Sequence, residues 1–270
     1  MLKVDILFSG SSGNCTLVRA EKTQILIDCG RSARAVCTAL REAGSDIGAV
    51  SAIFITHEHA DHVAALGVLC RKNPIPVHMT EKSAAAMPDK CRPDNIVVHP
   101  REYAETVGDI EVSSFPLPHD SADHVGYVIK DSYGDSFGIA TDMGHVTESA
   151  IENLSRCRRV MIEANHDEEM LAEGRYPPFL KRRILSPRGH LSNSDCAELA
   201  CLLAERGCEA IALAHLSPEN NLPSLAYSDV RRALDSAGHR DCELTVADRE
   251  FAVRLPDGGT DCEVMSYVED

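Results

Sequence analysis

Short apolar runs recur along the chain with Gly, Asp or Pro at their edges, a pattern that predicts β-strands. They read KVDILF from residue 3, CTLVRA from 15, TQILIDCG from 23, AVSAIFIT from 49, NIVVHP from 95 and DIEVSSFPL from 109. Further on come HVGYVIKD from 124, DSFGIATD from 135, RRVMIEA from 158, EAIALAHL from 209 and CELTVAD from 242. Between them, residues 31–43, 60–70, 81–87, 147–154, 193–206 and 224–237 carry apolar positions at helical spacing. Ser194 and Asp195 open one of these helices, and Thr80 or Ser83 caps another. Strands in runs, joined first by tight turns and then by helices, predict an α/β sandwich of two sheets with helices on the outer faces. No linker, repeat or low-complexity tract interrupts the pattern, so one domain over 1–270 is expected.

At 270 residues the chain can bury a full core. Its eleven cysteines form no Cys-x-x-Cys pair, and the segment MLKVDILFSG lacks a secretory pattern. No apolar run reaches the ~18 residues of a membrane span. Reduced thiols in the cytoplasm are therefore expected, with no membrane partner. The net charge of −15 argues against a surface generally attractive to nucleic acid. The exception is local: from Arg156 to His190 stand eight basic residues (Arg156, Arg158, Arg159, Arg175, Lys181, Arg182, Arg183 and Arg188) against five acidic ones. Such a strip either binds backbone phosphates or forms a solvated face paired to Glu168, Glu169 and Glu173.

The most informative segment is AIFITHEHADHVAAL. An apolar strand ends at Thr56, and alternation along the extended chain puts His57 and His59 on one side. Asp61 and His62 follow at the start of a helix, displaced toward a neighbouring position. One segment thus offers two adjacent sets of metal ligands. Two ions need more donors, and His119, Asp142 and His215 each lie beside an apolar run, as His57 does.

These residues together resemble the metallo-β-lactamase superfamily, through LIDCG, THEHADH, a later His, TDMG and LAHLS. At finer grain FSGSSGNCTLV, HDSADHVGYVI, IEANHDEEML, RILSPRGHLSN and LAHLSPENN look like the YycJ (WalJ) group of bacterial nucleases, itself similar to ribonuclease Z and ribonuclease J. The resemblance implies an αββα sandwich without the inserted β-CASP-type domain of ribonuclease J, since the Asp142–His215 interval is too short for one. It implies that His57, His59 and His119 hold one divalent ion, that Asp61, His62 and His215 hold a second, and that Asp142 bridges them. Asp28 would orient a ligand histidine from behind. The histidine-rich set admits Zn²⁺ and the carboxylate bridge also admits Mn²⁺. His124 is expected to be solvent-exposed, and His78, His99, His145, His166 and His239 to be ordinary histidines.

Two such ions could serve hydrolysis of a lactam, thioester, lactone or phosphodiester. The lactamase and glyoxalase branches tend to carry an HTPGH-like third motif where this chain has PLPHDSADH, and a bridging Asp suits phosphate chemistry. Phosphodiester hydrolysis is therefore expected, and the resemblance to the YycJ group implies a DNA nuclease, a 5′-to-3′ exonuclease on duplex DNA, in which hydroxide between the ions attacks phosphorus and Asp61 orients it or takes its proton. Hydrolysis of a small phosphodiester or an ester or lactone metabolite, and RNA processing, are the competing readings. An aromatic content of 4% with no Trp favours a duplex backbone over stacked single-stranded bases.

His190 falls outside the seven ligand positions. Its segment, with Ile162-Glu163-Ala164 before it, is similar to the paired Glu-Ala and Gly-His-Ser segments of ribonuclease Z, departing at Ile162 where that enzyme has a further histidine. With the acid role at 162 lost, His190 is expected to take it over as a donor aimed at the scissile phosphate or the departing oxygen, with Ser192 and Asn193 as supporting contacts; the alternative is an ordinary histidine of a helix-entry loop. Arg188, Lys181 and Arg182 are expected to meet substrate phosphates. The SGSSGN loop is either a tight turn or a place where Asn14 meets a phosphate.

Overall fold

The computed structural model describes residues 1–257; the last part of the predicted 1–270 span lies outside the described residues. Its strands, in chain order, form two seven-stranded sheets. The first contains β1 (Lys3–Phe8), β2 (Cys15–Arg19), β3 (Gln24–Ile27), β4 (Ala52–Phe54), β5 (Val77–Thr80), β6 (Ile96–His99) and β14 (Val253–Arg254), in spatial order β14-β1-β2-β3-β4-β5-β6. The second contains β7 (Ala104–Val107), β8 (Ile110–Pro116), β9 (Val125–Asp131), β10 (Ser136–Ala140), β11 (Arg159–Glu163), β12 (Ala210–Ala214) and β13 (Glu243–Val246), in order β13-β12-β11-β10-β9-β8-β7. All eleven predicted strands are present. The pattern missed β5, β7 and β14, which are short, and the helices Glu168–Glu173 and Pro178–Ile184.

Three apolar clusters fill the three gaps between four layers. Ile6, Ile25, Ile27 and Phe54 of the first sheet meet Tyr127, Ile129, Phe137 and Ile139 of the second between the sheets. Val36, Leu40, Leu66 and Leu69 pack helices on the outer face of the first sheet. Leu154, Leu199, Leu203, Val230 and Leu234 do so on the second. Strands within the sandwich, buried on both faces, therefore read as continuous apolar runs rather than alternating ones. The fold is the expected αββα sandwich.

In each sheet four neighbouring strands run parallel, β3 to β6 in the first and β10 to β13 in the second. Side chains at the carboxyl ends of parallel strands converge where no strand continues, which is where such sheets place sites. Among the described residues, three non-glycine positions have positive φ: Asp28 (61°), Asp142 (57°) and His215 (57°). They follow β3, β10 and β12. Asp and His tolerate this left-handed region better than most side chains, yet each such residue still costs about 1–3 kcal/mol. The backbone turns sharply at the same three places to aim these side chains across the sheet ends.

Two arginines leave the predicted basic strip. Arg159 is completely buried on β11, where Asp135 takes its guanidinium at 2.8 Å and Leu2 O accepts a further bond at 2.8 Å. Arg158 pairs with Glu209 at 2.8 Å. Period-two alternation on a strand whose neighbours are both filled sends Arg159 into the sandwich.

Candidate metal centre

His57, just beyond β4, and His59 point together toward His119, which follows β8. The ring centroids lie 4.5, 5.1 and 5.2 Å apart, and one donor atom from each falls within 4.8 Å of the others. The helix expected over 60–70 breaks into Ala60–Val63 and Leu66–Lys72, and the first piece carries Asp61 and His62 toward His215. That second trio also meets the 4.8 Å limit. Asp142 stands between the two. Its Oδ2 lies 3.4 Å from His62 Nε2, its Oδ1 lies 3.4 Å from His215 Nε2, and it also groups with His57. All seven residues predicted as ligands thus lie in one cluster, in which Asp142 and His215 also group with Glu163 and His190.

The donor atoms fit divalent ions. His57 Nε2, His215 Nε2 and Asp142 Oδ2 are all buried with no hydrogen-bond partner among the described residues. Leaving such atoms unpaired costs free energy that an ion bound among them removes. Imidazole and carboxylate donors suit Zn²⁺ and Mn²⁺ alike. The opposite nitrogens are held from behind. Asp28 Oδ2 accepts from His62 Nδ1 at 2.8 Å, and Thr56 Oγ1 joins Asp28 to His57 Nδ1 at 3.1 Å. Gly189 O faces His119 Nδ1 at 3.3 Å. Each contact fixes a ring so that its free nitrogen faces the centre.

Glu163, at the end of β11, escaped the sequence reading. It is completely buried, and its Oε1 meets both His215 Nδ1 at 2.9 Å and His190 Nδ1 at 2.8 Å. Its Oε2 accepts from Met143 N at 2.9 Å and Leu191 N at 3.2 Å. Its position had a legible cue, since it ends an apolar strand run as Asp142 and His215 do. Burial opposes its charge, but His190 and His215 outweigh burial and hold its pKa at about 2. Burial likewise opposes protonation of His215, and Asp142 with its neighbours overcomes this and lifts it to about 10. His190 is raised for the same reason, by Glu163 against burial. Around the first trio the balance reverses: burial, then His62 and His124, depress His57 well below its ordinary value.

His124 is a correction. It is 2% exposed rather than solvent-facing, with its ring 4.5 Å from that of His57 and its Nε2 2.7 Å from Thr141 O. Burial, then His119, pushes its pKa down to about 3. His78 and His166 are buried too, and His78 Nδ1 lies 3.0 Å from His99 Nε2.

The cleft above the centre has a volume of about 250 Å³ and is lined by Ser11, His59, Asp61, His119, Asp142 and His190, among others. Three predicted substrate contacts do not reach it. Asn14 is buried, with its Oδ1 accepting from Gly10 N at 2.8 Å and its Nδ2 3.0 Å from His62 Nε2. Ser192 is buried and caps the helix Asn193–Glu205, accepting from Asp195 N at 3.1 Å. Asn193 is buried in a reciprocal amide pair with Asn221, at 3.1 and 2.8 Å. Of the basic residues, Lys181 donates to Ala172 O, and Arg188 donates to His119 O at 2.8 Å and to Ser121 O at 3.2 Å. Arg183 pairs with Asp120, so Arg183 and Arg188 hold the His119 loop, and among the described residues no ion pair joins the strip to Glu168, Glu169 or Glu173, the alternative reading of it. Arg182 is exposed.

A four-layer sandwich with this His/Asp cluster at its strand ends defines a metal-dependent hydrolase: a model of the β-lactamase superfamily domain matches residues 23–215, and the chain belongs to that superfamily, in its YycJ/WalJ group. It is 37% identical over 240 residues to Exodeoxyribonuclease YycJ of Bacillus anthracis, covering 88% of this chain and 90% of that protein. Exodeoxyribonuclease WalJ of Streptococcus pneumoniae serotype 2 is 37% identical over 241 residues, covering 87% and 89%. Among solved structures, the metallo-β-lactamase fold protein YhfI from Bacillus subtilis superposes with a TM-score of 0.71 at 16% identity, over 94% of this chain and 99% of that one.

Proposed function

We propose that this protein is a DNA exonuclease, removing nucleotides from linear duplex ends in the 5′-to-3′ direction, working in the cytoplasm as one domain with no inserted β-CASP-type domain. The observation that carries the reading is the pair of donor trios sharing Asp142; the two exodeoxyribonuclease relatives support DNA as the substrate. His57, His59 and His119 would hold one Zn²⁺ or Mn²⁺, and Asp61, His62 and His215 the other, with Asp142 shared. Two such ions lower the pKa of water and neutralise charge on the attacking and departing oxygens of a phosphodiester.

The chain's own residues do the rest. Glu163 holds His190 Nδ1, which leaves Nε2 as the ring's working nitrogen in a cleft-lining side chain. From there His190 donates a proton to the departing oxygen, as a positioned general acid. Asp61, a quarter exposed and also lining the cleft, orients the attacking water and takes its proton. Arg188 and Arg183 brace the loop of His119, and Arg182 is the exposed cation of the helix Pro178–Ile184 that remains for a backbone phosphate.

The test is purified protein loaded with Mn²⁺ or Zn²⁺ and given linear duplex DNA, a structured RNA, bis(p-nitrophenyl) phosphate and a lactone in parallel. Digestion of the DNA ahead of the RNA supports the proposal. Turnover of the lactone or the small diester alone contradicts it.

A further inference from the structure

Aromatic residues are scarce in this chain, and where the exposed ones stand is therefore informative. Of its six phenylalanines, Phe8, Phe54, Phe115 and Phe137 are buried, while Phe179 is 67% and Phe251 72% exposed. Phe179 sits on the helix Pro178–Ile184, whose Leu180, Arg183 and Ile184 form part of the cleft wall over the metal centre. Leu185, just after that helix, is 61% exposed. Phe251 belongs to the turn behind the loop that carries Ser11 into the same cleft. There Ser9 N donates to Asp248 O at 3.1 Å, Phe251 N donates to Asp248 Oδ1 at 2.9 Å, and the Arg249 side chain lies against Gly10.

Both phenylalanines have an arginine near them in sequence, Arg182 three residues after Phe179 and Arg249 two before Phe251, the latter between the exposed Asp248 and Glu250. Arg182 and Arg249 are exposed, and among the described residues no carboxylate pairs with either. An exposed aromatic face with an unpaired cation near it, once on the helix that walls the cleft and once in the turn behind its Ser11 loop, is the combination that binds unpaired nucleotides. Bases stack on the ring, and the backbone follows the charge. Neither ring contributes to the apolar clusters, so packing does not account for their exposure.

We infer that Phe179 and Phe251 are stacking platforms for unpaired bases at the end of the strand being cut, with Arg182 and Arg249 on the adjoining phosphates. This rests on the exonuclease reading and narrows it: the enzyme engages a frayed single strand at a duplex end rather than the intact double helix. The low overall aromatic content does not oppose this, because two rings in the right place suffice.

The probe is a linear duplex with phosphorothioate linkages, which resist hydrolysis, and 2-aminopurine as the 5′-terminal base of one strand. Binding of the metal-loaded wild-type protein is expected to raise the fluorescence as that base leaves its duplex neighbour. Phe179→Ala and Phe251→Ala should each weaken binding at least about fivefold, the lower end of base–aromatic stacking, and Phe179→Tyr should restore it. On ordinary DNA the alanine variants should raise KM far more than they lower kcat. Alanine variants that bind the probe as tightly as wild type, with the same fluorescence rise, overturn the stacking assignment while leaving the nuclease reading intact. A wild-type protein that neither binds nor cuts DNA overturns the nuclease reading itself.

Discussion

Glu163 Oε1 lies 2.8 Å from His190 Nδ1, and this contact sets which nitrogen of His190 faces the cleft. The same oxygen meets His215 Nδ1 at 2.9 Å, so one buried carboxylate orients both a proposed ligand and the proposed acid. Glu163→Gln keeps the shape but brings an amide N–H₂ among four donors. We expect kcat on DNA to fall by about a hundredfold or more, in line with loss of a general acid. Metal affinity should weaken by about ten- to a hundredfold. Steady-state kinetics beside metal titration checks both; unchanged kcat with full metal would remove Glu163 from the account.

Asp28 supports His62 from behind at 2.8 Å without approaching the cleft itself. Asp28→Ala should lower affinity for the ion held by His62 by about ten- to a hundredfold, and by less for the ion held by His57, which Asp28 reaches only through Thr56. Competition with a graded chelator, read as ions per chain, distinguishes this from general unfolding, which would release both together.

Gly144 abuts the loop that leads to His190. A Cβ there would come within 2.4 Å of Pro187 C and 2.5 Å of Gly189 N. Gly144→Ala therefore pushes the Asp142 turn and the His190 loop apart. Misplacement of about 1 Å costs up to about a hundredfold in rate, so kcat should drop by about ten- to a hundredfold with KM little changed. A variant with wild-type kcat would show that this close approach is irrelevant to catalysis.

Ser192 and Asn193 lie next to His190 in sequence but serve the fold. Ser192→Ala removes a helix cap and should cost about 1 kcal/mol of stability, with KM for DNA unaffected. Thermal denaturation and kinetics on one preparation decide it; a raised KM at unchanged stability would return Ser192 to the substrate.

How much of this was legible in the sequence follows from how each residue does its work. The seven proposed ligands were readable because each stands at a strand end or in the His-x-His-x-Asp-His segment, where local pattern fixes direction. Glu163 has the same placement yet was overlooked, because its partners His190 and His215 come from later loops and only the folded chain joins them. Asn14, Ser192 and Asn193 looked like substrate contacts because small polar residues in Gly-bordered loops suit that role. The Asn14–Gly10 turn and the Ser192–Asp195 helix cap are local and were open to a linear reading, whereas Asn221, 28 positions from Asn193, was not. His124 looked exposed because it precedes an ordinary strand; the neighbouring His57 ring that buries it is 67 positions earlier. The helix Pro178–Ile184 was missed although Pro at its start marks it.

The most direct test of the central claim is release of labelled nucleotide from 5′-end-labelled linear duplex DNA, followed as Zn²⁺ or Mn²⁺ is added back to chelator-stripped protein. We predict no release from the stripped protein and full activity when about two ions per chain are bound, with label appearing as the earliest product. Intact DNA at two ions per chain, or equal release from the stripped protein, would contradict the account.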